Sequence, residues 1–290
     1  MKRDYVIVAD STNDLPKSFA KENEIRILPL LYEIDGESYG KDKELPLKEF
    51  YDRMRNGSPT KTAAANLEDI NGVFEEIAKE GKDILFTCLS SGISSTVGNA
   101  MISKNDIEEK YPECHIRVVD SLCASGGQGM FLYLAVNNKK AGLSLDENAD
   151  KLEKDKMNIV HKFTVEDLIY LYRGGRVSKT AATLGTMINL KPLLHVDNEG
   201  KLVLEAKARG RKKSLQQMIK NFDTAMGSFR DKQELIIVCH ADSIDDANFC
   251  VDMIKEMYNP KDIVIGEISP TIGAHSGPGT IAIFFMGDIR

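Results

Sequence analysis

The chain has 290 residues, 42% hydrophobic and 28% charged, with a formal net charge of −6 and five cysteines. That profile belongs to a globular protein of one large or two ordinary domains, and the acidic balance excludes a general nucleic-acid binder. The first apolar run, Tyr5–Ala9, is broken by Asp10 and is too short for a leader or a membrane span, so no integral membrane segment and a cytoplasmic location are expected.

Tyr5–Ala9 reads as a continuous apolar strand that runs into Asp10-Ser11-Thr12-Asn13-Asp14-Leu15-Pro16, where cap residues and a proline start a helix over Lys17–Glu22. Ile25–Leu31 is a second strand, and Tyr32–Tyr39 with Asp35-Gly36 in its middle is a hairpin arm. Pro46 opens an amphipathic helix through Arg55. The residues from Asn56 to Thr62 are a loop by composition, and Leu67–Lys79 is helix again. Ile84–Cys88 is a buried-strand signal, followed by Ser90, Ser91, Gly92, Ser94, Ser95 and Thr96 and then a helix to Tyr111. His115–Asp120 is the next strand. Ser125-Gly126-Gly127-Gln128-Gly129 then leads into an apolar helix to Ala141, but the third glycine and the distant acid of a dinucleotide fingerprint are missing. Close helix packing accounts for these glycines. Strands alternating with helices imply parallel βαβ units.

Ser144–Met157 is a charged helix without apolar alternation and reads as a bridge between domains. Beyond it come a strand at Ile159–Thr164, a short helix at Val165–Tyr172 and a sharp turn at Arg173-Gly174-Gly175-Arg176. Pro192–Val196 and Leu202–Ala206 are strands about a hairpin signal, Leu215–Phe229 is helix, Glu234–Cys239 strand, Ile244–Tyr258 helix and Ile263–Ile268 strand. Thr280–Phe285 is an apolar strand after the Gly/Ser/Pro loop from Gly273 to Gly279, which holds His275.

Three features point to chemistry. The hydroxyl-rich loop before Thr96 sits at a strand's carboxyl end and a helix N-terminus, where anionic groups bind. It lacks the Lys or Arg fork that a phosphate normally takes, so a single charge such as a carboxylate suits it better. Taken alone, it reads as a helix cap. Charge is uneven: residues 161–220 carry twelve Lys/Arg against five Asp/Glu in a chain that is acidic overall, which suits an anionic partner or a solvated basic face. His275 with Ser94 invites a serine-hydrolase reading, but the segment around Ser94 lacks the second glycine of a nucleophile elbow, and no acid is placed to orient the ring. A weaker alternative is an anion- or nucleic-acid-binding regulator working through residues 207–213. The cysteines are scattered and mostly in apolar segments, which favours reduced structural thiols over a disulfide or metal framework.

The motifs together resemble the DegV family, the fatty-acid-binding subunit of bacterial fatty acid kinase. Asp10-Ser11-Thr12-Asn13-Asp14-Leu15-Pro16 is similar to its DST-x-DLP opening, and Val119-Asp120-Ser121 to its central strand end. Arg173-Gly174-Gly175-Arg176-Val177-Ser178 matches its RGGR turn, Lys191-Pro192-Leu193-Leu194 its KP strand, and His275-Ser276-Gly277-Pro278-Gly279 its H-[ST]-GPG signature. Two motifs depart from the pattern: Thr62-Ala63-Ala64-Ala65-Asn66 stands for TSQPS, and Ser95 replaces a glycine after Ser94. The resemblance implies a two-domain α/β fold, with a mostly parallel Rossmann-like sheet in residues 1–157 and a mixed α/β sheet in residues 158–290. It implies a non-enzymatic lipid carrier that uses no cofactor or metal and holds a long-chain fatty acid such as palmitate. By resemblance, Thr62 and Ser94 bind the carboxylate, with His275 and Arg173 in or behind that network. The catalytic partner would be a separate ATP-dependent fatty acid kinase, since the chain has no Walker loop or nucleotide fingerprint. Arg176, Arg209, Arg211 and Lys213 are expected to form the docking face for it.

Overall fold

Apolar runs become strands, and the pattern of polar interruptions sets the order of elements. A computed structural model describes residues 3–178 and 189–290; Lys179 of the basic block lies outside them. The first half runs β1 (Tyr5–Asp10), α1 (Lys17–Glu22), β2 (Arg26–Leu28), β3 (Tyr32–Ile34), β4 (Glu37–Tyr39), α2 (Leu47–Arg55), β5 (Thr60–Thr62), α3 (Leu67–Lys79), β6 (Asp83–Cys88), α4 (Thr96–Lys110), β7 (Ile116–Asp120), α5 (Gly126–Lys140) and α6 (Leu145–Asp155). The second half runs β8 (Ile159–Thr164), α7 (Ile169–Arg173), β9 (Leu190–Val196), β10 (Leu202–Arg209), α8 (Arg211–Lys220), α9 (Phe222–Met226), β11 (Ile236–His240), α10 (Ile244–Tyr258), β12 (Ile263–Glu267), α11 (Pro270–Ser276) and β13 (Ile281–Met286).

A parallel four-stranded sheet, ordered β2-β1-β6-β7, faces a mixed six-stranded sheet, ordered β10-β9-β8-β13-β11-β12, and β4-β3-β5 form a small antiparallel sheet. The two-residue side-chain period distributes the apolar residues. Val6, Val8, Ile84 and Phe86 pack toward α3 and α4, whereas Tyr5, Ile7, Ala9 and Leu85 face a central core. On the other sheet Val160, Ile283 and Phe285 meet α8, α9 and α10, and Ile159, Phe163, Ala282 and Phe284 face that same central core. Helix α5 fills the middle. Its glycines are there for closeness, since a Cβ on Gly127 would stand 2.1 Å from the His161 ring nitrogen.

Several elements differ from the sequence expectation. Residues 60–62, read as loop, form β5, whose register with β3 pairs Thr62 with Tyr32. Helix α6 has a capping box at Ser144 and buries Leu145, Ala149 and Leu152 in the central core, so it is packed rather than bridging. The expected helix over Leu215–Phe229 is divided into α8, α9 and a 3-10 turn at Gly227–Lys232. His275 does not lie in a loop: Pro270 starts α11 and Gly277, at φ 81°, ends it, the proline-first, glycine-after asymmetry of helices. All five cysteines are buried and free. Among the described residues no helix is long and apolar enough to cross a membrane.

Candidate functional site

The carboxyl ends of the parallel strands build the loop that carries Ser94. Asp10, fully buried at the end of β1, accepts the Thr12 and Leu89 backbone N–H groups at 2.9 and 2.8 Å and a Gln128 amide N–H at 3.0 Å. Asp120, at the end of β7, accepts the N–H groups of Ser91 and Leu122. Ser90 donates to the Gly200 carbonyl at 2.9 Å, tying the loop to the second half of the chain. The aspartates of both DS motifs are therefore spent on shaping the loop. Ser94 itself lies 3.0 Å from the Thr96 hydroxyl and accepts the Thr96 N–H. Thr96 Oγ1 in turn accepts the Ala65 N–H, and Asn99 donates to the Ala65 carbonyl, which fastens the segment after Thr62 to the N-terminus of α4.

Helix α11 crosses to the same place from the second half. Tyr51 donates to the Ile268 carbonyl, Thr60 to the Ala274 carbonyl, and Asp14 accepts the Ser269 N–H at 2.9 Å. These bonds set His275 Nε2 2.7 Å from Thr62 Oγ1. The other ring nitrogen, Nδ1, is buried without a hydrogen-bond partner among the described residues. Burial, with the Arg176 charge adding to it, lowers the His275 pKa to about 4, so the ring is neutral.

Between the two sheets lies a cavity with about 950 Å³ of unfilled space, mouth included. At one end stand Thr62, Ser94, Ser95, Arg176 and His275; beyond them the wall is chiefly Leu89, Ile93, Phe163, Leu171, Val196, Leu202, Ile268, Ile272, Ala282 and Phe284. Ala124, Ser125 and His161 also line it. His161 accepts the Ala124 N–H at Nε2 and faces the Ile159 carbonyl through Nδ1, which fixes its neutral tautomer. Ser125 donates to the buried Asp14, whose carboxyl burial pushes up to about 7 against the bonds from Ser125 and Ser269.

The structure exchanges the expected places of two arginines. Arg173 ends α7 exposed and lies outside the cavity lining, while Arg176 is half-buried within it. Arg176 donates from Nε and Nη2 to the Ile93 carbonyl at 3.1 and 2.9 Å, and from Nη1 to the Gly174 carbonyl. Arg211 is also turned inward, paired with Glu166 and Asp246 and bonded to the Gly279 carbonyl. Arg209 and Lys213 are exposed. A glycine turn in the sequence shows that two arginines flank a corner; it does not show which one faces inward.

The fold and this chamber define a class: an α/β protein with an internal, mostly apolar ligand cavity, closed at one end by hydroxyls, an imidazole and a guanidinium. The family model described as "Uncharacterised protein, DegV family" matches residues 4–288. A DegV domain-containing protein of Clostridium perfringens is 40% identical over 288 residues, covering 99% of this chain and 98% of its own. Among solved structures, a DegV family protein of Thermus thermophilus described for its fatty acid binding superposes with a TM-score of 0.87 at 27% identity, covering 99% of this chain and 100% of its own. DegV of Bacillus subtilis, described as a fatty acid binding protein, gives 0.85 at 26% identity with the same coverage. The chain belongs to the DegV family.

Proposed function

We propose that this chain binds one long-chain fatty acid, holds its carboxylate at Thr62 and Ser94, and presents it to a separate ATP-dependent fatty acid kinase. The observation that carries the reading is the cavity, polar at one end and apolar over most of its remaining length. The fatty acid binding of the Thermus thermophilus and Bacillus subtilis relatives supports it. Tail and head divide the work. Burying about fifteen methylenes at ~0.8 kcal/mol each gives roughly 12 kcal/mol gross, against an association cost of about 4–15 kcal/mol. Each hydrogen bond to a charged head adds only about 1.5–3 kcal/mol, so the hydroxyls chiefly set position.

Proton placement favours both hydroxyls as donors to an anion. A neutral His275 carrying its proton on Nε2 donates to Thr62 and leaves a bare lone pair at Nδ1 instead of a stranded N–H, which frees the Thr62 proton for the ligand. Thr96 can donate to Ser94 in the same way and free its proton. Arg176 contributes charge from behind, because its donors are engaged on carbonyls. The serine-hydrolase alternative has no geometric support: His275 is bonded to Thr62, and its Nδ1 meets no acid among the described residues.

Native mass spectrometry of protein purified from cells tests the reading. One noncovalent fatty acid per chain is expected, and Thr62→Val with Ser94→Ala should lose it while circular dichroism stays unchanged. Undiminished retention in that variant overturns the head-group assignment, and a covalent acyl adduct on Ser94 restores the hydrolase. For the kinase, exposed Arg209 and Lys213 remain the docking candidates, and Arg173, exposed at the end of α7, is added to them.

A further inference from the structure

Strand β13 measures the depth of the cavity. Side chains alternate across a strand, and on the inner face come Thr280, just before β13, then Ala282, Phe284 and Met286. Thr280 belongs to the head end: its hydroxyl donates to the carbonyls of Ser276 and Gly277, the residues that follow His275, at 3.0 and 2.8 Å. The next rung pairs Ala282 with Phe163 of β8, and the one after it pairs Phe284 with His161. All of these line the cavity. At the rung beyond, Met286 pairs with Ile159, and neither lines it; Ile159 is fully buried in the central core. Strand β8 gives the same direction, since it runs from His161 past Phe163 toward α7 and Arg176 at the head end. At ~3.4 Å of rise per residue, Phe284 stands about 14 Å farther in than Thr280.

The two rings have no room to retreat. They meet edge to face, with centroids 5.2 Å apart and planes at 86°, an arrangement aromatic pairs prefer. Behind them lies the first turn of α5: a Cβ on Gly126 would stand 2.6 Å from Phe284, and one on Gly127 2.1 Å from His161. The imidazole is also held at both nitrogens, by the Ala124 N–H at 3.2 Å and the Ile159 carbonyl at 3.1 Å. We infer that Phe284 and His161 form the floor on which the terminal methyl of the acyl chain stops, and so set the longest acid the cavity takes at full affinity. The inference rests on the fatty-acid reading of the site. Short of the floor, each added methylene leaves water for an apolar wall. Past it, an added methylene has to fold back or draw the carboxylate away from Thr62 and Ser94.

Competition binding of saturated acids, from dodecanoic to docosanoic, to the delipidated full chain tests it. Affinity is expected to rise about fourfold per methylene up to one length and to stop rising there. Phe284→Ala should move that break to acids about two to four carbons longer, the space the ring leaves. Phe163→Leu, one rung nearer the head, should weaken every acid alike and leave the break in place. Ala282→Leu adds bulk to the open cavity above the floor without disturbing α5, so it should move the break to shorter acids, and it decides the matter should the Phe284 variant fail to fold. A break that stays at the wild-type length in the Phe284 variant, or in the Ala282 variant where that one alone folds, overturns the floor while the fatty-acid site stands. A break that moves as far in Phe163→Leu overturns it as well. If none of the acids binds the wild-type chain, both readings fall.

Discussion

Replacing Gly174 by alanine is a sharp test of how the head end is held. Gly174 has an ordinary right-handed backbone, φ −73°, so alanine meets no backbone strain there. It meets His275 instead: a Cβ would lie 2.0 Å from Nδ1 and 2.9 Å from Cε1. Nonbonded heavy atoms settle at about 3.5 Å, so the ring has to give way by roughly 1.5 Å. It cannot slide along the line of contact, because Nε2 is already 2.7 Å from Thr62 Oγ1 on the other side. The ring must swing out, and the bond to Thr62 goes with it. Overpacking costs about 1–3 kcal/mol and the lost bond about 1 kcal/mol, so a fall in stability of about 2–4 kcal/mol is expected. A Thr62 no longer fixed by the ring should hold fatty acid roughly tenfold less tightly. Urea unfolding and retention of a labelled fatty acid would be measured on wild type, Gly174→Ala, His275→Ala and the double variant. With the imidazole gone, alanine at 174 should cost no more than about 0.5 kcal/mol. If it costs as much without the ring as with it, the packing argument is refuted.

Three further outcomes are expected. Arg176→Lys replaces a fork that holds two carbonyls with a single ammonium, so stability should fall by about 1–2 kcal/mol and fatty acid release should quicken; an unchanged off-rate would exclude Arg176 from holding the Ser94 loop. Asp14 is raised to about 7 from 3.8, so its contribution is complete below about pH 4, and stability falls as pH rises toward 7 while the unfolded chain alone sheds the proton. Asp14→Asn should remove that decline, gaining on wild type in urea midpoint between pH 5 and 8; parallel curves would contradict it. Reversing Arg209 and Lys213 to Glu should slow association with a fatty acid kinase and flatten its salt dependence without changing fatty acid content, and wild-type activation at low salt would move the docking face elsewhere.

Elements carried by strong local chemistry were legible before the structure. Asp35 and Gly36, with φ of 54° and 80°, make the turn between β3 and β4 that their dipeptide announces. Apolar runs such as Tyr5–Ala9 gave buried strands, with both faces covered by helices or core. Short elements made by tertiary pairing were not legible. Strand β5 is three polar residues whose only reason to be extended is β3 beside them. Helix α11 is seven residues long, and its one glycine serves the close approach of Tyr51, 2.3 Å from where a Gly273 Cβ would stand. The Ser269-Pro270 start and Gly277 stop were the signals that could have revealed it. For the cavity, composition indicated hydroxyls without cations near Ser94, but the lining residues Ser125, His161 and Thr271 come from three separate places in the chain and are joined only by folding.

Strand β13 is the last strand of the chain, yet it sits inside the six-stranded sheet, antiparallel to β8 on one side and β11 on the other. On the ribosome, β8 and β11 therefore emerge with no strand between them, and Ala282 and Phe284, part of the cavity wall, arrive only after both. At roughly 5–20 residues per second of synthesis, the six-stranded sheet waits a few seconds with the place between β8 and β11 unfilled. A chain that stops before Ile281 lacks the strand that joins the two halves of the six-stranded sheet, leaving a product that quality-control proteases can recognise.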